Sequence, residues 1–213
     1  MKIELGDFEI DLIYHDPVIY TVESILSDVE CEHFKKLASK DMKRSLVSGK
    51  DGTKKRRGLL DKRRTSSDSW INHSVDNITL SVGKRISELV QIPLSHAEAF
   101  QVLHYSDNQE YQAHFDTFDP ANEEYAYYLE NGGQRIITAL GYLNDVEEGG
   151  QTSFPNINKV INPKKGKIVV FDDCYKGTDQ PHPDSFHGAL PVIKGEKWAF
   201  NLWFRKDPVT QRI

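Results

Sequence analysis

A chain of 213 residues and 24.4 kDa, 38% hydrophobic and 10% aromatic, has the length and apolar content for one folded globular domain. It holds no apolar run long enough to span a membrane, and Met1-Lys2-Ile3-Glu4-Leu5-Gly6-Asp7 is not a signal-peptide start. The net charge of −5 argues against a dedicated nucleic-acid binder, although Lys54, Lys55, Arg56, Arg57, Lys62, Arg63 and Arg64 form a basic cluster and residues 116–130 an acidic, tyrosine-rich one.

Residues 1–22 alternate loosely between apolar and polar (Ile3, Leu5, Phe8, Ile10, Leu12) and read as short strands. Ser27-Asp-Val-Glu30 has capping-box spacing, which predicts a helix from about Asp28 to Lys40 with Phe34, Leu37 and Ala38 on its apolar side. Residues 48–58, with Gly49, Asp51-Gly52 and Gly58 among charges, predict a flexible loop or an exposed hairpin turn. Ile78, Val82, Ile86 and Leu89 form one stripe, the mark of a second helix from about Ser74 to Val90, stopped by Pro93. From His96 onward the pattern changes to strands, over 97–105, 110–116, 135–143, 151–154, 159–162, 166–172, 185–190 and 197–204. Strands following two helices, without βαβ alternation, predict a mainly β fold with α support. Its core is a jelly roll, or double-stranded β-helix, preceded by N-terminal helices and short strands. One catalytic domain is expected over residues 1–213, with 1–95 as support and 96–213 as the core. Cys31 and Cys174 are too few for a disulfide scaffold, so a reducing cytoplasm is the expected compartment.

His114-Phe-Asp116 and the distal His187 carry the chemistry. Two imidazoles and a carboxylate in the order H-x-D…H are the ligand set that holds one face of a non-haem Fe(II) and leaves the other face open. On a strand, His114 and Asp116 share one side. His182 competes for the distal position, but Pro181 and Pro183 beside it suit a loop better than a strand interior. Ordinary surface or hydrogen-bonded roles explain His15, His33, His73, His96 and His104. Lys197, ten positions after His187, opens the apolar run Trp198–Phe204. It is either a surface lysine or a buried cation whose anionic partner is a carboxylate of a metal-chelating cosubstrate.

Four stretches make the chain resemble the prolyl 4-hydroxylase branch of the Fe(II)/2-oxoglutarate-dependent dioxygenases. They are Tyr105 through Asp116, Gln134 through Asn144, Gly149-Gly150-Gln-Thr152-Ser-Phe154-Pro155, and His187-Gly188-Ala-Leu-Pro191-Val192 with Gly195-Glu-Lys197-Trp198. With Arg64-Thr65-Ser66 and the helix start at Leu26 to Cys31, the likeness covers most of residues 18–205. It implies a double-stranded β-helix, Fe(II), 2-oxoglutarate and O₂, ascorbate as reductant, and hydroxylation of a proline-containing peptide or protein; the lack of a long apolar run adds the expectation of no membrane partner. By resemblance His114, Asp116 and His187 are the iron ligands. Lys197 pairs with the 2-oxoglutarate C5 carboxylate with help from the Tyr142 hydroxyl, and Tyr105 lines the cosubstrate pocket. Tyr111, Arg135 and Trp203 line the substrate side.

Tyr142 has an alternative as a core residue, and Arg135 as half of a structural salt bridge. Asn108 stands where the family has Gly; Asn tolerates the left-handed backbone, so the turn is expected to survive. Arg205 stands where some relatives have His near the peptide site. The run Lys54–Arg57 is read as a solvated loop or a lid, and 119–131 as a second mobile segment. There Tyr125, Tyr127 and Tyr128 either grip a polyproline II peptide or simply pack. Rival readings are the same oxygenase chemistry on a free amino acid, small metabolite or nucleobase, and a non-catalytic jelly-roll binding module.

Overall fold

Three short strands open the chain, as the alternation predicts: β1 (Lys2–Leu5), β2 (Phe8–His15) and β3 (Val18–Val22). This is a computed structural model that describes residues 1–48, 58–122 and 125–210. Helix α1 (Asp28–Ala38) begins at the expected capping box, where Ser27 Oγ accepts from the Glu30 amide and the Glu30 carboxylate from the Ser27 amide. It ends at Ala38, short of Lys40. After β4 (Lys43–Arg44) and β5 (Ser67–Ile71), α2 (Asn77–Val90) starts three residues later than its apolar stripe suggests. Asp76 caps it, accepting from the Ile78 and Thr79 amides, and Gln91 closes it in the left-handed region before Pro93 is reached.

The remaining strands are β6 (Phe100–Tyr105), β7 (Tyr111–His114), β8 (Arg135–Tyr142), β9 (Glu148–Gly149), β10 (Thr152–Phe154) and β11 (Lys159–Ile161). They continue with β12 (Ile168–Asp172), β13 (His187–Ala189), β14 (Val192–Lys194) and β15 (Lys197–Arg205). A short helix α3 (Ala126–Leu129) lies between β7 and β8. A major sheet runs β1-β2-β3-β12-β8-β15-β6-β5-β4, a minor sheet β11-β10-β13-β7, and β9 pairs with β14. Together they form the expected jelly roll. The sequence reading missed β4, β5, β9 and β14, which are short or polar.

Alternation along the major sheet decides what faces what. On β15 the even positions Trp198, Phe200, Leu202 and Phe204 join Phe34 of α1 and Val82, Ile86 and Leu89 of α2 in the main core. Gly141 of β8 belongs to that layer because a Cβ there would lie 2.4 Å from the Phe200 ring. The odd positions look the other way, toward the minor sheet, where Leu140, Tyr142, Val169, Phe171 and Ala199 pack on Phe154 and Ile161. Lys197, Asn201 and Trp203 share that second face. Asn108 adopts φ +62°, so the turn before β7 survives without glycine. Among the described residues no helix is long and apolar enough to cross a membrane.

Candidate active site

Register brings the two histidines together. β13 pairs antiparallel with β7 so that His187 faces His114 directly, with ring centroids 4.7 Å apart. Gly188 permits this approach, since a Cβ there would lie 2.9 Å from both the Ala113 nitrogen and the Tyr111 carbonyl oxygen. Asp116 follows just beyond β7, its Oδ1 3.4 Å from His114 Nε2 and its Oδ2 3.6 Å from His187 Nε2. One donor atom from each of the three lies within 4.8 Å of the others.

Surrounding groups fix the orientation of all three. His114 Nδ1 lies 2.9 Å from the Gln112 carbonyl and His187 Nδ1 2.9 Å from the Ser185 carbonyl, so each Nδ1 donates and each Nε2 keeps a lone pair. Asp116 Oδ2 accepts from Trp203 Nε1 and from Thr138 Oγ1, both at 2.8 Å. Burial alone would raise the Asp116 carboxyl, but His187, His114 and Arg135 hold it well below the usual carboxylate range. Burial lowers His187 to about 4, with Asp116 partly opposing. Two imidazoles that turn Nε2 inward and an ionised carboxylate, brought together, fit a divalent metal of the Fe(II) type.

Lys197 is 1% exposed and opens β15, its Nζ 5.3 Å from the Tyr105 ring centre and 5.5 Å from that of Tyr142. Among the described residues no hydrogen-bond or ion-pair partner meets this ammonium, and burial lowers it to about 7. It lines a cavity together with Tyr105, Tyr111, Thr152, His114 and His187. The sequence reading left open a surface lysine; the structure buries it beside the triad. Tyr142, expected to help Lys197, is not part of that cavity wall. Its hydroxyl meets Thr152 Oγ1 at 2.7 Å, and Thr152 supplies the hydroxyl in the wall.

A second, larger cleft of about 710 Å³ also reaches His114 and Asp116, with Tyr111, Arg135, Trp203, Trp70, Phe115 and Phe186 among its walls. Tyr111 stacks on the His114 ring at 3.6 Å, with the Arg64 guanidinium 4.7 Å from the Tyr111 ring centre. Arg135 lies 3.6 Å from the Trp203 ring and makes a bidentate pair with Glu98, at 2.7 and 3.0 Å. Arg135 therefore is the structural salt bridge left open above, while it also lines the cleft. Arg205 departs from the expected peptide site. It turns to Glu98 and donates to the Tyr128 and Gly133 carbonyls, and it is not among the cleft walls.

The lysine-arginine run 54–57, like most of the 48–58 segment, lies outside the described residues; Val47 and Leu59 on either side form an antiparallel bridge. Of the 119–131 segment, residues 125–131 are anchored rather than loose: Tyr128 stacks on Phe118 at 5.0 Å, Tyr127 sets its edge against Tyr128, and Arg205 holds the Tyr128 carbonyl. Only Tyr125 of the three tyrosines lines the cleft. His182 is no part of the triad. Its Nδ1 accepts from the Asp184 amide and its Nε2 lies 3.3 Å from Asp16. Sequence reading missed Thr138, Thr152, Glu98 and Trp70. Thr138 and Thr152 each lie inside a motif quoted above, whereas Glu98 and Trp70 carried no signal.

Residues 100–205 match the sequence profile of the 2OG-Fe(II) oxygenase superfamily. The chain is 33% identical to the probable prolyl 4-hydroxylase 7 of Arabidopsis thaliana, over 88% of its own length and 62% of that protein's. It is 32% identical to the putative prolyl 4-hydroxylase of Acanthamoeba polyphaga mimivirus, over 97% of this chain and 81% of the relative. Among solved structures it superposes on the viral collagen prolyl hydroxylase of Paramecium Bursaria Chlorella virus-1, a 2OG complex, with TM-score 0.68 and 28% identity. That match covers 88% of this chain and 95% of the viral one.

Proposed function

The chain belongs to the prolyl 4-hydroxylase branch of the 2OG-Fe(II) oxygenase superfamily, and from that premise we propose how its residues divide the work of an Fe(II)/2-oxoglutarate-dependent peptidyl-prolyl 4-hydroxylase. His114, Asp116 and His187 hold the iron. Lys197 takes the far carboxylate of 2-oxoglutarate, with Thr152 beside it and Tyr105 forming the wall. The observation that carries this reading is Lys197 itself: a buried ammonium without a counter-charge, in a cavity shared with two convergent imidazoles.

Bound together, Fe(II), 2-oxoglutarate and O₂ supply an oxidant able to hydroxylate an unactivated C–H bond. The protein's part is to bind, orient and exclude water. Tyr111, Trp203 and the Arg135 edge border the substrate proline, and the larger cleft holds the peptide around it in an extended or polyproline form. Ascorbate as reductant and a cytoplasmic setting complete the proposal, in keeping with the two buried free thiols Cys31 and Cys174. Residues 1–95 support the catalytic unit, and 96–213 carry it.

The test is incubation of the protein with Fe(II), 2-oxoglutarate and proline-containing peptides, read by mass spectrometry. One added oxygen on proline, lost in His114→Ala, Asp116→Ala and His187→Ala, is the expected result. Oxidation of a free amino acid or nucleobase with every peptide untouched would overturn the prolyl reading, and no 2-oxoglutarate turnover at all would favour a binding module.

A further inference from the structure

A second carboxyl group stands behind the triad. Asp173, the residue after β12, is fully buried, and its Oδ2 lies 2.8 Å from Thr138 Oγ1. The same Thr138 hydroxyl lies 2.8 Å from Asp116 Oδ2. A hydroxyl has one proton, so it donates to one of these oxygens and must accept from the other. Were both carboxyl groups ionised, one contact would set two lone pairs against each other.

The spare proton belongs on Asp173. Asp116 faces two imidazoles and receives the Trp203 indole N–H, surroundings that favour its anion. Among the described residues Asp173 has no ion-pair partner and its Oδ1 no hydrogen-bond partner. A carboxylate buried with one neutral contact would carry a large uncompensated desolvation penalty, whereas a carboxylic acid can keep one oxygen bare at far smaller cost. Burial, and then the nearby Asp116 charge, push the Asp173 carboxyl upward.

We propose that Asp173 is a neutral carboxylic acid whose proton is donated to Thr138 Oγ1, committing the Thr138 hydroxyl proton to Asp116 Oδ2. Asp173 is thus a positioning residue. Thr138 and the Trp203 indole together engage Oδ2 and set the rotation of the carboxylate, leaving Oδ1 as the oxygen free to serve a metal. An ionised Asp173 would draw the Thr138 proton to itself and strip Asp116 of that bond. Outer partners of this kind typically change metal affinity about ten- to a hundredfold.

The inference rests on Asp116 being a metal ligand, and the experiment separates the two claims. Affinity for Mn(II) or Co(II), by chelator competition without cosubstrate, is measured on wild type, Asp173→Asn, Asp173→Ala and Thr138→Val, with melting temperatures. Wild type that binds no metal would sink the metal-site reading itself. If it binds, Thr138→Val and Asp173→Ala should each weaken the metal about ten- to a hundredfold, while Asp173→Asn, which can still donate to Thr138, stays close to wild type. Infrared difference spectra of wild type minus Asp173→Asn should also show the carbonyl stretch of a protonated acid. A folded Asp173→Asn that weakens metal as much as Thr138→Val, or absence of that band, overturns the proposal; should Asp173→Ala fail to fold, these two readouts still decide it.

Discussion

The hydroxyls of Tyr142 and Thr152 meet at 2.7 Å, and of the two only Thr152 lines the cavity that holds Lys197. Thr152→Val should therefore raise the 2-oxoglutarate requirement more than Tyr142→Phe does. It also strands a buried phenol, at a cost of about 1–3 kcal/mol, so its melting temperature should fall as well. Steady-state KM values and thermal melts check both statements. Equal KM effects would return Tyr142 to the cosubstrate.

The ionisation of Lys197 gives two opposite pH trends. Burial brings it from 10.5 to about 7, and a dianionic cosubstrate needs the ammonium form, so 2-oxoglutarate affinity should decline as pH rises above about 7. The unfolded chain keeps this proton up to 10.5, while the folded, cosubstrate-free protein releases it near 7. Between those values the unfolded state binds more protons, so folding stability from this group rises with pH. Melting temperatures of wild type and Lys197→Met across that range test the sign: the wild-type deficit should shrink as pH increases.

His182 is buried but makes structural contacts, to the Asp184 amide, Asp16 and the Tyr175 ring. His182→Ala should lose about 1–3 kcal/mol of stability while keeping metal affinity. Loss of metal equal to that of His187→Ala, with the fold intact, would reverse the ligand assignment.

Glu98 is the single carboxylate between the Arg135 and Arg205 guanidiniums. Removing it leaves two largely buried cations facing each other, so Glu98→Ala should destabilise by roughly 3–5 kcal/mol. It should also weaken peptide binding more than 2-oxoglutarate binding, because Arg135 loses its clamp above Trp203. A melt within about 1 kcal/mol of wild type would show that solvent, not Glu98, serves these arginines.

The parts legible in the sequence were those with a local signal. The capping box at Ser27, the H-x-D spacing and the apolar run after Lys197 each depend on neighbours in the chain, and the jelly roll follows from strand succession. Partners supplied by distant segments were invisible. Glu98 meets Arg135 and Arg205 only because the pairing of β8 with β15 sets the two arginines side by side, and Thr138 meets Asp173 only through the pairing of β8 with β12. β5 was missed because Ser67-Asp-Ser dilutes its pattern; its place between β6 and β4, not its composition, makes it a strand. The start of α2 is a local matter: Asp76 accepts from the Ile78 and Thr79 amides and so places the first turn after the Ser74 that the apolar stripe suggests.

β15 interleaves two vocabularies in nine residues, one read by the helices and one by the ligands. Inserting or deleting a single residue within it would exchange them, turning Phe200 toward the iron side and Lys197 or Trp203 into the main core. Substitutions on either side can be absorbed separately, but a change of length cannot. The hydrophobic core and the chemistry thus share one reading frame, and that frame constrains how this strand can evolve.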